Sequence, residues 1–198
     1  MEIEEILSKY ITPTKDCIDD VKDHYEEFYV DRNRDIVKQG EVNEYIYFIA
    51  EGTVRIGLLK DNKEDTVCFG GAGDVFISLH SYWCKEPAAY RLFAIENCRG
   101  WKISFLDWYN LASLHQELVH WLRMLLVEQL SSFERLYRSF ALTTPEQRLY
   151  NFWEKSPSTL RNVSPASLSR VVPLKFIAQY LGMAQQTLSV LRRKFVGK

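Results

Sequence analysis

Short runs of β-branched and aromatic residues, separated by turn-forming residues, constrain the fold of this 198-residue chain most strongly. Glycine, asparagine and aspartate lie between most of the runs, as they do between strands joined by tight turns. The runs are Tyr45–Ala50, Thr53–Leu59, Asp65–Phe69, Val75–Leu79, Arg91–Glu96 and Trp101–Phe105. Many short strands in close succession predict a β-sandwich or barrel. In the second run, Val54 and Ile56 alternate with Arg55 and Gly57, which predicts a strand with one buried and one solvent-facing side.

Helical patterns lie on both sides of this β region. The first residues are acidic and amphipathic and predict a short helix, and Thr14 is a suitable N-cap for a second helix, Lys15–His24. After the strands, the helical pattern runs from Leu106 to Leu142. This run is much longer than the average helix of about twelve residues, so we expect it to pack against more than one partner.

The long helical run carries two apolar stripes. The first follows the four-and-three spacing of a coiled-coil seam, and it comprises Leu118, Leu122, Leu125, Gln129 and Leu136. The second comprises Leu126, Leu130, Phe133, Tyr137 and Phe140. One stripe can pack on the β domain and the other on a second copy of the chain. We assign the first stripe to a twofold dimer interface, and a purely intramolecular role for the helix remains the alternative.

The sequence Thr143-Thr144-Pro145-Glu146 predicts a hinge, because one helix ends there and proline and glutamate favour the start of another. That next helix is predicted over Glu146–Glu154, and Ser156–Arg170 is rich in serine, proline and asparagine, which predicts a surface loop. The chain is thereby divided into a β domain at residues 1–105, a long helix at 106–142 and a helical unit at 143–198.

Near the end of the chain, two helical patterns meet at Gly182, which accepts turn conformations that strain other residues. Apolar residues at helical spacing lie before and after it: Ile177, Ala178, Leu181, Leu188 and Leu191. Two helices that cross at a steep angle share a small core in this way, which predicts a helix-turn-helix. An ordinary helical hairpin with a solvated basic end is the alternative.

Charge is distributed unevenly along the chain. From Pro145 onward, nine lysines and arginines stand against two acidic residues, a balance of +7, and the total of −1 leaves −8 for residues 1–144. An acidic body with a basic end indicates a contact with nucleic acid. Amides and guanidinium groups suit base edges and phosphates. The predicted DNA-binding residues are Gln185, Gln186, Thr187, Ser189, Val190, Arg192, Arg193, Lys194 and Lys175, with Lys198 as a further phosphate contact.

Motifs for metal or catalytic chemistry are lacking in the sequence. The cysteines Cys17, Cys68, Cys84 and Cys98 form no CxxC pair, and no histidine lies at metal-clip spacing from one of them. We therefore expect structural thiols and no metal site, although ligands that converge in space remain open. The sequence contains no GxSxG, P-loop or HExxH motif, so we expect no enzyme. No long apolar segment or signal-peptide pattern is present, which predicts a cytoplasmic protein without membrane contact.

The chain resembles the Crp/Fnr family of bacterial transcription regulators, because it combines an acidic β domain, a long helix and a basic helix-turn-helix in this order. The resemblance depends on VKQGEVNEYIYFIAEGTVRI and GAGDVF, and on TPEQRLYNF and VPLKFIAQYLGMAQQTLSVLRRKF. It implies an α+β chain with a cyclic-nucleotide-binding-like jelly roll as effector domain, a dimerisation helix and a helix-turn-helix domain. The wing that is usual in this domain is expected to be reduced or absent, because few residues follow the second helix. The implied partners are a near-palindromic DNA operator, a second copy of the chain and RNA polymerase. A small-molecule sensor or protein-interaction module without specific DNA binding is the alternative.

The effector site departs from the family pattern. In the members that bind cyclic AMP, a glycine–glutamate pair holds the ribose, and an arginine followed by a small hydroxyl residue holds the cyclic phosphate. Ser78 and Leu79 stand at the first pair and Ala88 and Ala89 at the second, and Arg91 is the nearest cation. Without those contacts a buried cyclic phosphate loses several kcal/mol. We expect an unknown effector other than cyclic AMP, in a pocket lined by Phe76, Ser78, Leu79, Ala88, Ala89, Arg91 and Phe133.

The second helix of the helix-turn-helix departs from the family as well. Family members often carry an arginine–glutamate or proline–glutamate pair, followed one turn later by an arginine that reads guanine. This chain has Gln185 and Gln186 at the pair and Val190 at the later position. Glutamine pairs with adenine, and valine can contact a thymine methyl group. We therefore expect a half-site that is rich in A·T pairs.

Overall fold

The computed structural model describes residues 1–61, 63–155 and 168–196. Within them, antiparallel strands form two four-stranded sheets. The strands are β1 Glu26–Val30, β2 Asp35–Val37, β3 Tyr45–Glu51, β4 Val54–Lys60, β5 Lys63–Gly70, β6 Val75–Ile77, β7 Arg91–Ala94 and β8 Cys98–Ser104. Sheet 1 has the order β1-β8-β3-β6 and sheet 2 the order β2-β7-β4-β5. The prediction of a β-sandwich or barrel is confirmed, in the form of two sheets.

Apolar side chains from both sheets fill the space between them. Sheet 1 contributes Tyr47 and Ile49, and sheet 2 contributes Val54, Leu92 and Ala94. All six predicted runs overlap strands, although Leu79 and Phe105 each begin a helix, and the sequence does not predict β1 and β2. Strand β1 has no fully buried side chain, and β2 spans only three residues, so neither shows a long apolar alternation.

Helices precede, follow and interrupt the sheets. They are α1 Ile3–Leu7, α2 Lys15–His24, α3 Leu79–Cys84, α4 Phe105–Leu114, α5 Gln116–Leu142, α6 Pro145–Lys155, α7 Leu168–Val171, α8 Leu174–Tyr180 and α9 Gln185–Val196. The predicted N-cap of α2 is confirmed, since Thr14 Oγ1 accepts a 3.3 Å hydrogen bond from the backbone N–H of Cys17. None of the described helices combines the length and apolar character needed to cross a bilayer.

The expectation of one unbroken helix from Leu106 to Leu142 is wrong. The helical path stops at His115, whose backbone is extended at φ −118° and ψ 97°, and it resumes as α5. Both helices bury tryptophan in the same core, Trp108 from α4 and Trp121 from α5. The break redirects the chain so that α4 and α5 can both pack on sheet 1.

The outer surface of sheet 1 is covered by α1, α2, α4 and α5. Trp121 is fully buried at the centre of this cover, with its ring centroid 5.6 Å from that of Phe48 and 5.3 Å from that of Trp108. Its indole Nε1–H donates a 3.4 Å hydrogen bond to the Ile6 carbonyl of α1. The buried members of this cluster are apolar throughout, so the N-terminal helices and the start of α5 share the core of sheet 1.

The outer surface of sheet 2 is covered by the C-terminal helices. Phe69 and Ile95 from the β domain share a cluster with Phe152 of α6 and Ile177 of α8. The expectation that β4 exposes one face is therefore wrong, because Arg55 on its outer side is as buried as Val54 on its inner side. Two layers of strands thus lie between two helical covers of different origin.

Candidate nucleic-acid interface

The turn between α8 and α9 has a geometry that requires glycine. Gly182 has φ +60°, in the left-handed region where a Cβ introduces strain. The backbone N–H of Met183 donates a 3.0 Å hydrogen bond to the carbonyl of Ala178, which closes the end of α8. A Cβ at Gly182 would lie 2.6 Å from Cε1 of Phe140, so the end of α5 also lies against this turn. The predicted turn at Gly182 is confirmed.

Helix α9 has one buried and one exposed face. Leu188 and Leu191 are buried in the cluster shared with α6 and α8. The exposed face, which we call the reading face, comprises Gln185, Gln186, Thr187, Val190, Arg193 and Lys194. Of the other predicted DNA contacts, Lys175 is exposed on α8, whereas Ser189 and Arg192 are only partly exposed. Lys198 lies outside the described residues. The structure therefore brings the amides and two of the cations together on one helix surface.

Arg148 of α6 connects the end of α5 to the turn before α9. Its Nε donates a 2.8 Å hydrogen bond to the carbonyl of Leu181, and its Nη1 donates one of 2.8 Å to the carbonyl of Thr143. The guanidinium also lies 5.6 Å from the centroid of the Phe140 ring. One side chain thus satisfies backbone carbonyls at both segments and fixes their separation.

Helix α8 holds the C-terminal unit on sheet 2 through Gln179. The Oε1 atom of Gln179 accepts a 2.9 Å hydrogen bond from Oγ1 of Thr66, and its Nε2 donates to the backbone carbonyl of Glu64. Beside it, the ring centroids of Tyr180 and Phe69 lie 5.6 Å apart. Burial raises the pKa of Tyr180 to about 12. Both ends of the Gln179 amide are used on β5, which fixes the orientation of α8 on the strand.

A buried arginine completes this contact. The guanidinium of Arg55 lies 3.9 Å from the centroid of the Phe176 ring on α8, and its Nη2 donates a 2.6 Å hydrogen bond to Oε1 of Glu64. The same oxygen accepts a 2.9 Å bond from Nη1 of Arg91, whose Nε donates to Asp35 at 2.7 Å. Burial lowers the pKa of the Arg55 guanidinium, and the bond to Glu64 opposes that effect. We call Arg55, Glu64, Thr66, Phe176 and Gln179 the docking contact.

The predicted effector-pocket residues do not converge on one site. Ala88 is buried between the sheets, whereas Arg91 extends from the outer surface of sheet 2, with its guanidinium 4.6 Å from the centroid of Phe93. The assignment of Arg91 to the pocket is wrong, because consecutive strand residues face opposite sides and Leu92 takes the inner one. The remaining residues are dispersed: Phe76 is partly buried between the sheets, Ser78 precedes α3, and Leu79, Ala89 and Phe133 are exposed.

The dimer interface predicted from the first stripe of α5 is also wrong. Leu118 and Leu125 are buried in the core of sheet 1, and Leu122 packs against the same core. Gln129 Nε2 donates a 3.2 Å hydrogen bond to the carbonyl of Val75 on β6. Leu118, Leu125 and Gln129 face their own β domain and are not available to a second copy, whereas Leu122 also lines the outer groove of α5 and Leu136 is partly exposed. The periodicity gives two equivalent stripes, and it does not show which of them faces the sheet.

The opposite side of α5 is apolar and exposed. An open groove with almost entirely apolar walls runs along it, and its lining residues are Val119, Leu122, Arg123, Leu126, Val127 and Leu130. Further along the helix, Phe133, Tyr137 and Phe140 are exposed as well. Most of the second stripe is therefore free to contact another molecule.

Comparisons with known proteins agree on the fold. Residues 27–115 match the family model of the cyclic nucleotide-binding domain. The structure of FixK2 from Bradyrhizobium japonicum is 20% identical, with a TM-score of 0.73 over 87% of this chain and 85% of FixK2. A CooA mutant from Carboxydothermus hydrogenoformans is 16% identical, with a TM-score of 0.69 over 100% of this chain and 85% of CooA.

A third structure is that of CLP, the c-di-GMP responsive global regulator of Xanthomonas campestris. It is 16% identical, with a TM-score of 0.68 over 93% of this chain and 92% of CLP. No curated protein sequence matches the chain. The chain therefore has the fold that these solved structures share, which is that of the Crp/Fnr regulators.

Proposed function

We propose that this chain, with its Crp/Fnr fold, is a homodimeric transcription regulator that binds specific DNA sequences through α9. The observation that carries the proposal is the reading face, where exposed amides and cations lie opposite the buried Leu188 and Leu191. This helix belongs to a segment with a charge balance of +7. The proposal places the protein in the cytoplasm, with DNA, a second copy and RNA polymerase as its partners.

The order of residues along α9 assigns them different roles. Gln185 and Gln186 lie on the first turn, so they reach base edges when the start of the helix enters the major groove. Val190, one turn later, supplies an apolar contact to a thymine methyl group. Arg193 and Lys194 lie in the last turn, where the helix leaves the groove and approaches phosphates. Glutamine and valine together favour A·T pairs.

The exposed stripe of α5 supports a dimer in which two copies of the helix pack together. Leu130 is 62% exposed and Val127 is 52% exposed, and both lie on the apolar groove. An apolar surface of this kind on a helix is stabilised when it is removed from water by a partner. A second copy of α5 presents the same stripe under twofold symmetry.

The interior of the β domain argues against cyclic AMP as the effector. The buried cluster that contains Ala88 comprises aliphatic residues, Tyr47 and Cys98, and Arg91 lies on the other side of sheet 2. A cyclic phosphate placed there would lack a cationic partner. We therefore expect isothermal calorimetry to show no binding of cyclic AMP at micromolar concentration, and micromolar or tighter affinity would refute this part of the proposal.

Selection from a random DNA library tests the proposal directly. Wild type should enrich a near-palindromic sequence with half-sites about one helical turn apart. Gln186→Ala should relax the preference at one base pair of each half-site, at a cost of about 1–3 kcal/mol. Lys194→Ala should weaken binding to all DNA sequences alike. It should also reduce the slope of log binding constant against log salt concentration by about one unit.

Gln116→Ala is the matched control, since Gln116 is exposed on α5 and away from α9. It should leave both the selected sequence and the salt dependence unchanged. Failure of wild type to enrich any sequence would contradict the regulator proposal and support the alternative, a sensor or interaction module without specific DNA binding.

The dimer is tested by introducing charge on the exposed stripe. Leu130→Glu should give a monomer that loses operator binding, because a carboxylate in an apolar contact has no partner. Leu106→Glu is the control, since Leu106 is 64% exposed on α4 and lies off the stripe. Analytical ultracentrifugation at micromolar concentration measures the oligomeric state of both variants. A monomeric wild type would contradict the dimer.

A further inference from the structure

Three potential metal ligands that are far apart in the sequence meet where α2 packs against the junction of α4 and α5. Cys17 lies in the first turn of α2, His115 occupies the break between α4 and α5, and Glu117 lies in the first turn of α5. One donor atom from each, a thiol sulfur, an imidazole nitrogen and a carboxylate oxygen, lies within 4.8 Å of the other two. The fold therefore supplies the convergence that the sequence spacing does not show.

Neighbouring groups orient two of these side chains. His115 Nε2 and Asp20 Oδ2 lie 2.7 Å apart, which holds the imidazole ring in place. Thr14 Oγ1 donates a 3.0 Å hydrogen bond to Oε1 of Glu117. In metal sites of proteins, ligands are commonly oriented in this way, by hydrogen bonds from their side chains to neighbouring groups that do not contact the metal.

We propose that Cys17, His115 and Glu117 bind a divalent transition-metal ion of the zinc class, with a water molecule in the fourth position. Sulfur, nitrogen and oxygen donors in a four-coordinate arrangement are typical of zinc. Bonds of about 2.0–2.3 Å place tetrahedral donors roughly 3.3–3.8 Å apart, so small side-chain rotations complete the site. On binding, the Cys17 thiol loses its proton to solvent and the thiolate bonds to the metal.

The position of the site links it to the orientation of α5. His115 forms the break that separates α4 from α5, and Cys17 belongs to α2. A bound ion therefore joins α2 to the start of α5 by bonds that are stronger than the apolar packing around them. The site is independent of the DNA-binding proposal, and its test does not use DNA.

Cobalt(II) is the probe, because a cobalt–thiolate bond gives a charge-transfer absorption band that other ligands do not give. The full chain without an affinity tag is freed of metal with a chelator and titrated with Co²⁺. The expected result is one ion per chain with a thiolate band, displaced by Zn²⁺. C17S should lose the band, whereas C84S should retain it, since Cys84 is exposed on α3 and away from the site.

Because Cys17 is fully buried, C17S can misfold for reasons unrelated to metal binding. Variants at the partly exposed residues of the site provide an independent test. H115Q removes a proposed ligand and should weaken Co²⁺ binding. D20N changes no ligand, because Asp20 only orients His115, and it should weaken Co²⁺ binding by about 10–100-fold. Circular dichroism of the metal-free variants verifies that they are folded. Absence of a thiolate band in wild type, or a band that survives in C17S, would show a hydrogen-bonded cluster only and overturn the proposal.

Discussion

The two sheets of the β domain are both covered by helices, but the covers differ in chemistry. On sheet 1, the cover is mainly apolar, with hydrogen bonds from Trp121 and Gln129, and it centres on Trp121, which is fully buried against Phe48 and Trp108. On sheet 2, aromatic contacts are mixed with the docking contact, in which Arg55 and Gln179 bond to β5. Water replaces hydrogen bonds and ion pairs far better than it replaces apolar packing.

This difference separates a cover that belongs to the folded core from one that can be released. The helices on sheet 1 cannot leave without exposing the largest apolar cluster of the described residues to water. The helical unit on sheet 2 leaves behind polar groups that water can satisfy, and it uncovers only two buried apolar residues of the β domain, Phe69 and Ile95. We therefore expect the proposed DNA-binding unit to detach from sheet 2 while the β domain stays folded.

The largest effect is expected for Trp121→Ala. Removal of the indole leaves a cavity between α5 and sheet 1 and should reduce the free energy of unfolding of the β domain by about 3–5 kcal/mol. Urea unfolding monitored by circular dichroism measures it. Trp83→Ala is the control, because Trp83 is 47% exposed. Equal destabilisation by the two variants would contradict a core centred on Trp121.

A smaller and local effect is expected for Arg55→Ala. Loss of a charged hydrogen bond and of the stacking on Phe176 should weaken docking by about 1.5–3 kcal/mol. Glu64 keeps its bond to Arg91, so no carboxylate is left without a cation. Hydrogen exchange should rise in α8 and β5 and stay constant in the first half of α5.

Arg99→Ala is the matched control for this variant. Arg99 pairs with Glu51 on the surface of sheet 1, and both side chains are 58% exposed. Its removal should change hydrogen exchange in neither cover. If Arg55→Ala accelerates exchange equally on both sheets, the two covers are one cooperative unit and the comparison fails.

The smallest effect is expected for Gln179→Ala. Each partner of the amide, the Thr66 hydroxyl and the Glu64 carbonyl, can bond to water when the amide is removed, so docking should weaken by about 1 kcal/mol. The same exchange measurement applies. Gln186→Ala, on the exposed reading face, should leave docking unchanged while altering DNA preference. If Gln186→Ala weakened docking and Gln179→Ala altered DNA preference, Gln186 would belong to the contact with sheet 2 and Gln179 to the contact with DNA.

The sequence predicts the elements of the fold better than their packing. Alternation and turn residues locate the strands, and Gly182 locates the turn before α9, because these signals depend on neighbours in the chain. The same signals place Arg55 on a solvent-facing side, since nothing near β4 in sequence indicates that α8 covers it. A buried arginine becomes predictable only when Phe176 and Gln179 are known to lie opposite.

The candidate sites show the same limit. Helical periodicity around Leu188 and Leu191 predicts the exposed side of α9 in part: Gln185, Gln186, Arg193 and Lys194 are exposed, whereas Ser189 and Arg192 are only partly exposed. The choice between the stripes of α5 requires knowledge of which one faces sheet 1, and it was wrong. Cys17 and His115 are brought together by the packing of separate helices, so no spacing rule finds them.

At the junction of α5 and α6, different side chains oppose a decrease and an increase in the distance between the end of α5 and the turn at Gly182. The ring of Phe140 lies against Gly182 and resists compression, while Arg148 bonds to the carbonyls of Thr143 and Leu181 and resists extension. These contacts join the end of α5 to the turn before α9, so we expect the two segments to move together. When the unit leaves sheet 2, we expect the pivot to fall within α5, upstream of Phe140, rather than at the Thr143-Thr144 hinge that the sequence predicts.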